Sequence, residues 1–469
     1  MKTHLEMYRQ ILKQSAPAMY QAAEALTESE REGYIPLEMT SFVFAPLAVS
    51  FCRWALREAE SMGLKRLYFL SRDGYQFYRC ADVLAREWNS PVEVRYLYVS
   101  RYSLRIPCFS FLGEEALSYI CLRGMEVTFL DMMERAGLSR EEAKKAAGDI
   151  GYTDELTRAI PLTEIPKFRE KLKDSRFFMS RMAEISREAF QTLEGYLTQE
   201  GLLEALPWGI VDSGWTGTTQ QILTRLLREI SGKASHEAAR KASGEACYEA
   251  FHGFYFGLFD LPREAEASRY HTWYFSWRGN LKRKAEFSNS LFEAVFSAPH
   301  GMVTGYRQRE WVAEGEKEFA PLLLGEKSLQ AEEMETQTER ILRFTELWLG
   351  MLQETLRPGQ LQEILRLFMS SPEAAEAEFY GNYRFSDDVT ERRTQPVALL
   401  LSEEELRGGH ILEKFLRLYG SRKLPVRESA WYEGSAALYS HRAAWHQRHY
   451  RRYKKLIYIR KAWERKLRK

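Results

Sequence analysis

The sequence predicts an α/β protein with a mainly parallel sheet core, a large helical insertion and a helical C-terminal region. Three observations carry that prediction. A strand, helix, strand pattern fills residues 65–99, the length of one βαβ unit with its right-handed crossover. A second block of β pattern starts only after residue 208. Between the two, residues show helical periodicity and no strand signal.

From the N-terminus, residues 1–62 read as helices packing on the core. The first 30 have helical period, TESEREGYIP is a polar break, and Leu37–Met62 is an apolar helix. Its most apolar part, Ser41–Leu56, contains Pro46 and Arg53 and falls short of the ~20 residues of a bilayer span, so it reads as buried. Residues 63–112 make the first half of the core. Lys65–Leu70 is a strand between Gly63 and the loop Ser71–Gly74. Tyr75–Trp88 is a helix with Phe77, Cys80, Ala81 and Leu84 on one face, and Val92–Val99 is the next strand. Residues 113–206 are the helical insertion, with Ser139–Glu142 as a capping box. Residues 207–310 complete the core through strands at Gly209–Val211, Phe251–Leu258, Tyr270–Trp277 and Met302–Tyr306. Residues 311–440 are mostly helical apart from the loop-like YGNYRFSDDVTERRTQP, and 441–469 form a basic amphipathic tail.

Composition narrows the function classes. The chain has 469 residues, 45% hydrophobic and 28% charged, which is that of a globular protein with a sizeable core. Its five cysteines, Cys52, Cys80, Cys108, Cys121 and Cys247, are never spaced C-x-x-C, which disfavours a disulfide framework and a thiolate zinc site. The start, MKTHLEMYRQILKQ, lacks the apolar stretch of a signal peptide, and a cytoplasmic location is expected. There is no H-E-x-x-H, no G-x-S-x-G elbow and no phosphate-binding G-x-x-x-x-G-K-[ST] loop. The net charge of +2 hides an asymmetry: His441–Lys469 carries twelve Lys and Arg against Glu464 alone, leaving −9 on the rest. Such a tail speaks of partners. An anionic membrane surface and an acidic protein surface, its own or another chain's, are the favoured partners, and nucleic acid the least favoured. Oligomeric state is left open.

The candidate site lies at strand ends, where open parallel sheets bind ligands. In Ser213–Thr219, SGWTGTT, Gly214 and Gly217 allow close backbone approach around Trp215, and Ser213, Thr216, Thr218 and Thr219 add hydroxyls. The helix that follows supplies its positive end, so the turn is a phosphate cradle. Asp212 before it has three open roles: orienting ribose hydroxyls, holding a metal such as Mg2+ through water, or acting as a base. In Ser71–Gly74, Arg72 is an anion ligand and Asp73 a second acid; alternatively Ser71 or Asp73 merely caps the next helix while Gly74 turns. Arg101 follows the strand of VRYLYVS in a third Ser-containing loop, and His300 in SAPHG is a candidate acid or base.

RLYFLSRDGY, YLYVSRYSLRIP, GIVDSGWTGTTQQ, FEAVFSAPHG and WYEGS at Trp431–Ser435 together resemble a family of bacterial proteins from cell-surface polysaccharide clusters, labelled as hydrolases of the haloacid dehalogenase superfamily. That family's longer members begin with a domain bearing an aspartate nucleophile in a D-x-D-type motif; here nothing before Leu67 offers that strand end, and Asp212 lacks the second aspartate. The resemblance therefore implies a polysaccharide-pathway setting rather than phosphatase chemistry. Asp212 with Thr216–Thr219 is also similar to the diphosphate-sugar loop of type I phosphoribosyltransferases, and Ser71–Gly74 to their pyrophosphate loop, although Ser213 replaces the usual second acid and Trp215 is bulky. These similarities make the core Rossmann-like or phosphoribosyltransferase-like. The expected protein is an enzyme of surface-polysaccharide biosynthesis, cytoplasmic or membrane-peripheral, binding a phosphorylated sugar or nucleotide sugar. Glycosyl transfer, phosphoribosyl-like transfer and phosphoester hydrolysis all remain open to it. The rival is a non-catalytic adaptor that docks on assembly proteins and the membrane.

Overall fold

The computed structural model describes residues 2–467 except 28–33, 123–126, 234–250, 310–317, 387, 392, 419–426 and 440. The polar break at 28–33, Cys247 and residues 468–469 of the tail thus lie outside the described residues. Five strands form one all-parallel sheet in the order β2-β1-β3-β4-β5: β1 Arg66–Leu70, β2 Glu93–Leu97, β3 Trp208–Trp215, β4 His252–Leu258 and β5 Tyr270–Phe275.

The interior strand β1, RLYFL, is buried along its whole length, which is why its sequence shows no polar alternation. Leu67 and Phe69 face one hydrophobic cluster, with Phe77, Cys80 and Leu84 of the crossover helix Tyr75–Glu87 and with Phe51 and Phe344. Tyr68 and Leu70 face the other, with Leu193 and Leu197 of the helix Arg176–Gln199 and Leu223 and Leu227 of the helix Thr218–Lys233. Helices therefore cover both faces. Right-handed crossovers explain the arrangement: β1 to β2 runs through one face and β3 to β4 through the other, so the chain leaves β1 and β3 in opposite directions. The gap between β1 and β3 is the switch point of the sheet.

The apolar helix runs from Ile35 to Ser61, 27 residues with a mean hydropathy of 1.5 in its most apolar window. It is long and apolar enough to cross a membrane, and 83% of that window is buried inside the protein. Among the described residues between β2 and β3 the regular elements are helices, joined by turns and one isolated bridge, Thr128 with Ala159, and they gather around their own cluster of Phe129, Met132, Phe168 and Met182.

Three expectations are corrected. Met302–Tyr306 is a strand, but it belongs to β6 His300–Gln308, paired antiparallel with β7 Phe319–Lys327 outside the core sheet. This hairpin lies on the helix Arg176–Gln199, where Tyr306 stacks on Tyr196 with ring centroids 4.5 Å apart. The strand expected at Gly209–Val211 runs on to Trp215, because β4 continues beside it after β1 has ended. The loop-like stretch near residue 390 carries two short paired strands, β8 Arg384–Phe385 and β9 Gln395–Pro396.

The tail is a helix, Ala443–Leu467, docked on its own body. His446 and Gln447 are buried, Tyr450 stacks on Tyr432 at 4.1 Å and Tyr458 on Phe259 at 5.4 Å. Lys454 Nζ sits 2.7 Å from the carboxylate of buried Glu433.

Candidate active site

The loop after β1 is fastened to its neighbours on both sides. The Ser71 amide donates to Leu97 O at 3.0 Å, its hydroxyl donates to Val99 O at 2.5 Å, and the Val99 amide donates back to that hydroxyl at 2.9 Å. Ser71 therefore pins the end of β1 to the end of β2. The helix that follows starts at Gly74 with no side-chain cap, so neither Ser71 nor Asp73 serves in the capping role open to them from sequence. A Cβ on Gly74 would lie 2.4 Å from Leu70 O, so only glycine fits this turn. Asp73 accepts a hydrogen bond from Ser213 Oγ at 2.5 Å, which joins the two loops across the switch point.

Strand β3 brings the rest. The last β1–β3 pair is Phe69 with Val211, so Asp212 is the first residue of β3 past its pairing with β1. Gly214 has φ +110° and Trp215 φ +76°, a conformation rare for a tryptophan. It turns the indole among Phe287, Phe292 and Phe259, where Nε1 donates to Glu293 Oε1 at 2.5 Å. Glu293 lies on the helix Asn289–Val295 and was not among the residues singled out from sequence. Its one signal was being the acid of FEAVFSAPHG, beside Phe292 and ahead of Phe296, which pack into the core.

Three carboxyls thus share one field. Burial, then the charge of Asp73, pushes Asp212 from its ordinary 3.8 up to about 7, against the pull of Arg101 and of the Ser213 and Gly214 amides. Burial, Asp73 and Asp212 push Glu293 from 4.5 up to about 7, against Arg101 and the Trp215 indole. Burial also raises Asp73, opposed by the Ser213 hydrogen bond and by Arg72 and Arg101. All three lie deep in the protein yet keep a solvent-reachable edge. Depth raises their pKa values; the open edge leaves them accessible to a ligand.

The positive groups differ in availability. Arg72 is held by Glu391, 2.5 Å away and equally half-exposed. Arg101 opens the helix Arg101–Arg105, whose cap Ser100 accepts from the Ser103 amide at 2.9 Å. Its side chain is exposed and makes no hydrogen bond or ion pair among the described residues, yet its charge reaches all three carboxyls. The turn after β3 presents Thr216 and Thr218, hydroxyls 3.3 Å apart, at the start of the helix Thr218–Lys233, with Thr219 half-buried behind them. Gly217 has φ +64°, and a Cβ there would meet the Tyr270 ring at 2.7 Å.

His300 stands beside the cluster with both nitrogens engaged. Nδ1 donates to Gly301 O at 2.8 Å, which leaves Nε2 to accept from the Tyr96 hydroxyl at 2.8 Å. Burial lowers its pKa, so the ring is neutral and fixed in one tautomer. Among the described residues, no three His, Cys, Asp or Glu side chains are placed to hold a metal ion together. Comparison with protein-family models finds none that matches the chain, and comparison with curated proteins finds no match.

Proposed function

We propose that the protein is an enzyme that binds a phosphorylated sugar or nucleotide sugar at the β1–β3 switch point and transfers a glycosyl or phosphoryl group by acid–base chemistry. One observation carries the reading: Asp212 and Glu293, on different elements, both have pKa values raised to about 7 within the field of Arg101, which makes no ion pair among the described residues. A carboxyl with that pKa can give or take a proton at neutral pH, whereas an ordinary surface carboxyl is already ionised. Thr216, Thr218 and the helix start behind them receive the phosphate, and Arg101 supplies its counter-charge. Arg72 joins when an incoming anion displaces Glu391. Asp73, bonded to Ser213, is the neighbouring acid whose charge, when present, adds to burial in raising both members of the pair. Mg2+ fits this scheme as an ion arriving with the phosphate and held by Asp212 through water.

The strand order β2-β1-β3-β4-β5 supports a doubly wound reading of the sheet, and with it a ligand at the switch point. The setting in surface-polysaccharide assembly rests on the sequence resemblance. The outer face of the tail helix favours a membrane-peripheral location there: Leu456, Ile459 and Trp463 are 50, 41 and 68% exposed, among exposed Arg448, Arg452, Lys455 and Arg460.

The test is a thermal-shift screen of nucleotide sugars, phosphoribosyl diphosphate and sugar phosphates, with and without magnesium. A bound ligand stabilises by about 2.7 kcal/mol at a hundredfold excess over its Kd. Thr216→Ala should weaken the response to sugar phosphates and phosphoribosyl diphosphate at least tenfold. A panel that leaves the melting temperature unmoved, or a variant that responds to these two ligand classes like the parent, removes the proposal and leaves the adaptor reading.

A further inference from the structure

A second cleft lies away from the carboxyl cluster and shares no residue with it. Two adjoining cavities, about 430 and 750 Å³, meet at Arg53, Arg57 and Thr355 and Arg357. One arm is walled by Trp54 of the helix Ile35–Ser61 and Trp273 of the edge strand β5. The other is polar, lined by Gln14, Gln353 and Gln360.

The charge at the junction is uncompensated. Arg53 and Arg57 stand one helical turn apart on the same face, an arrangement of like charges that costs stability on its own. Burial and the charge of Arg57 both pull Arg53 below its ordinary range. Arg53 donates to Gln353 O and lies over the Trp348 ring at 6.0 Å; Arg57 lies over Trp88 at 5.9 Å. None of the three arginines makes an ion pair with a carboxylate among the described residues, and the one acid on the cleft wall, Glu354, is exposed on the polar arm. Guanidinium forks match phosphate oxygens, and indole faces take a planar ring.

We propose that this cleft is a nucleotide-binding site: the arginines hold a diphosphate at the junction, the base enters the arm between Trp54 and Trp273, and the polar arm takes whatever sugar the diphosphate carries. The proposal stands independently of the acid–base reading of the switch point, because the two places have no side chain in common.

The experiment is calorimetric titration of the full chain with uridine diphosphate, uridine and inorganic pyrophosphate. Uridine diphosphate should bind at least tenfold more tightly than either fragment, since each fragment fills only one part of the cleft. Arg57 and Arg357 are exposed, so the double variant R57Q/R357Q should fold as the parent does, checked by its melting temperature, and should bind uridine diphosphate at least tenfold more weakly. Asp212→Asn and Thr216→Ala should leave this binding within twofold of the parent, which separates the two sites. The proposal is overturned if R57Q/R357Q binds within twofold of the parent, if uridine diphosphate binds no better than pyrophosphate, or if the switch-point variants abolish the binding.

Discussion

Replacing Asp212 by Asn should make the protein more stable at alkaline pH while removing one of its acid–base groups. The sign follows from the raised pKa. A carboxyl at about 7 in the folded state, against 3.8 ordinarily, keeps a proton that the unfolded chain gives up, so stability falls as pH rises through that window and stays low above it. The full shift corresponds to about 4 kcal/mol, and solvent at the carboxyl's accessible edge trims it to about 2–3 kcal/mol. Asn has the same shape and can still accept from the Ser213 and Gly214 amides, so it keeps the local hydrogen bonds and carries no charge penalty. Unfolding entropy for a chain of 469 residues is about 1 kcal/mol per degree, so the variant should melt about 2–3 °C above the parent at pH 8.5. At pH 5 the gain should shrink by about 2 kcal/mol, because the folded carboxyl is then protonated. Urea denaturation at both pH values measures the difference. A gain that is the same at pH 5 and 8.5, or a loss at pH 8.5, would refute the assignment of a buried, protonatable Asp212.

Arg101→Gln removes the charge that lowers all three carboxyls, so the upper end of the fall in stability, near pH 7 in the parent, should move up by about one pH unit, read from melting temperature against pH; an unmoved profile would show that Arg101 does not act on the cluster. Gly214→Ala should cost more than about 3 kcal/mol or yield insoluble protein, because its Cβ would lie 2.4 Å from Gly257 O at φ +110°; a loss below about 1 kcal/mol would mean that β3 does not follow this path. Changing Leu456, Ile459 and Trp463 together to Ser should abolish co-sedimentation with anionic vesicles and leave the fold intact, since all three point outward; equal sedimentation by parent and variant would sink the membrane contact.

The first βαβ unit was legible because its signals are local. Strand, crossover helix and second strand appear within a residue or two of their predicted ends, fixed by apolar runs that stop at Gly63, Ser71 and Pro91. Pairing partners were less legible. Nothing local in Met302–Tyr306 says that its partner is Phe319–Lys327 rather than the core sheet, and nothing in GIVDSGW says that β4 carries the strand four residues past Val211. Asp73 and Asp212 were recognisable as strand-end acids. Their direct link through Ser213 was not, because a hydroxyl beside two glycines reads as a turn residue. Glu293 was hidden for the opposite reason: in an aromatic helical stretch an acid looks like the solvent-facing position, and only the left-handed backbone at Trp215 delivers an indole to it.

The pairing of β1 with β3 also sets an order of events during synthesis. Arg66 pairs with Trp208, 142 positions later, so at ~5–20 residues per second β1 waits roughly 7–28 s for its second neighbour. In that interval the insertion can collapse on its own apolar cluster, whereas β1 has β2 on one edge and nothing on the other. Glu293 and Glu391 emerge later still. A nascent chain halted after the insertion therefore holds a closed helical domain beside an open, sticky edge, and the acid cluster is among the last features of the protein to exist.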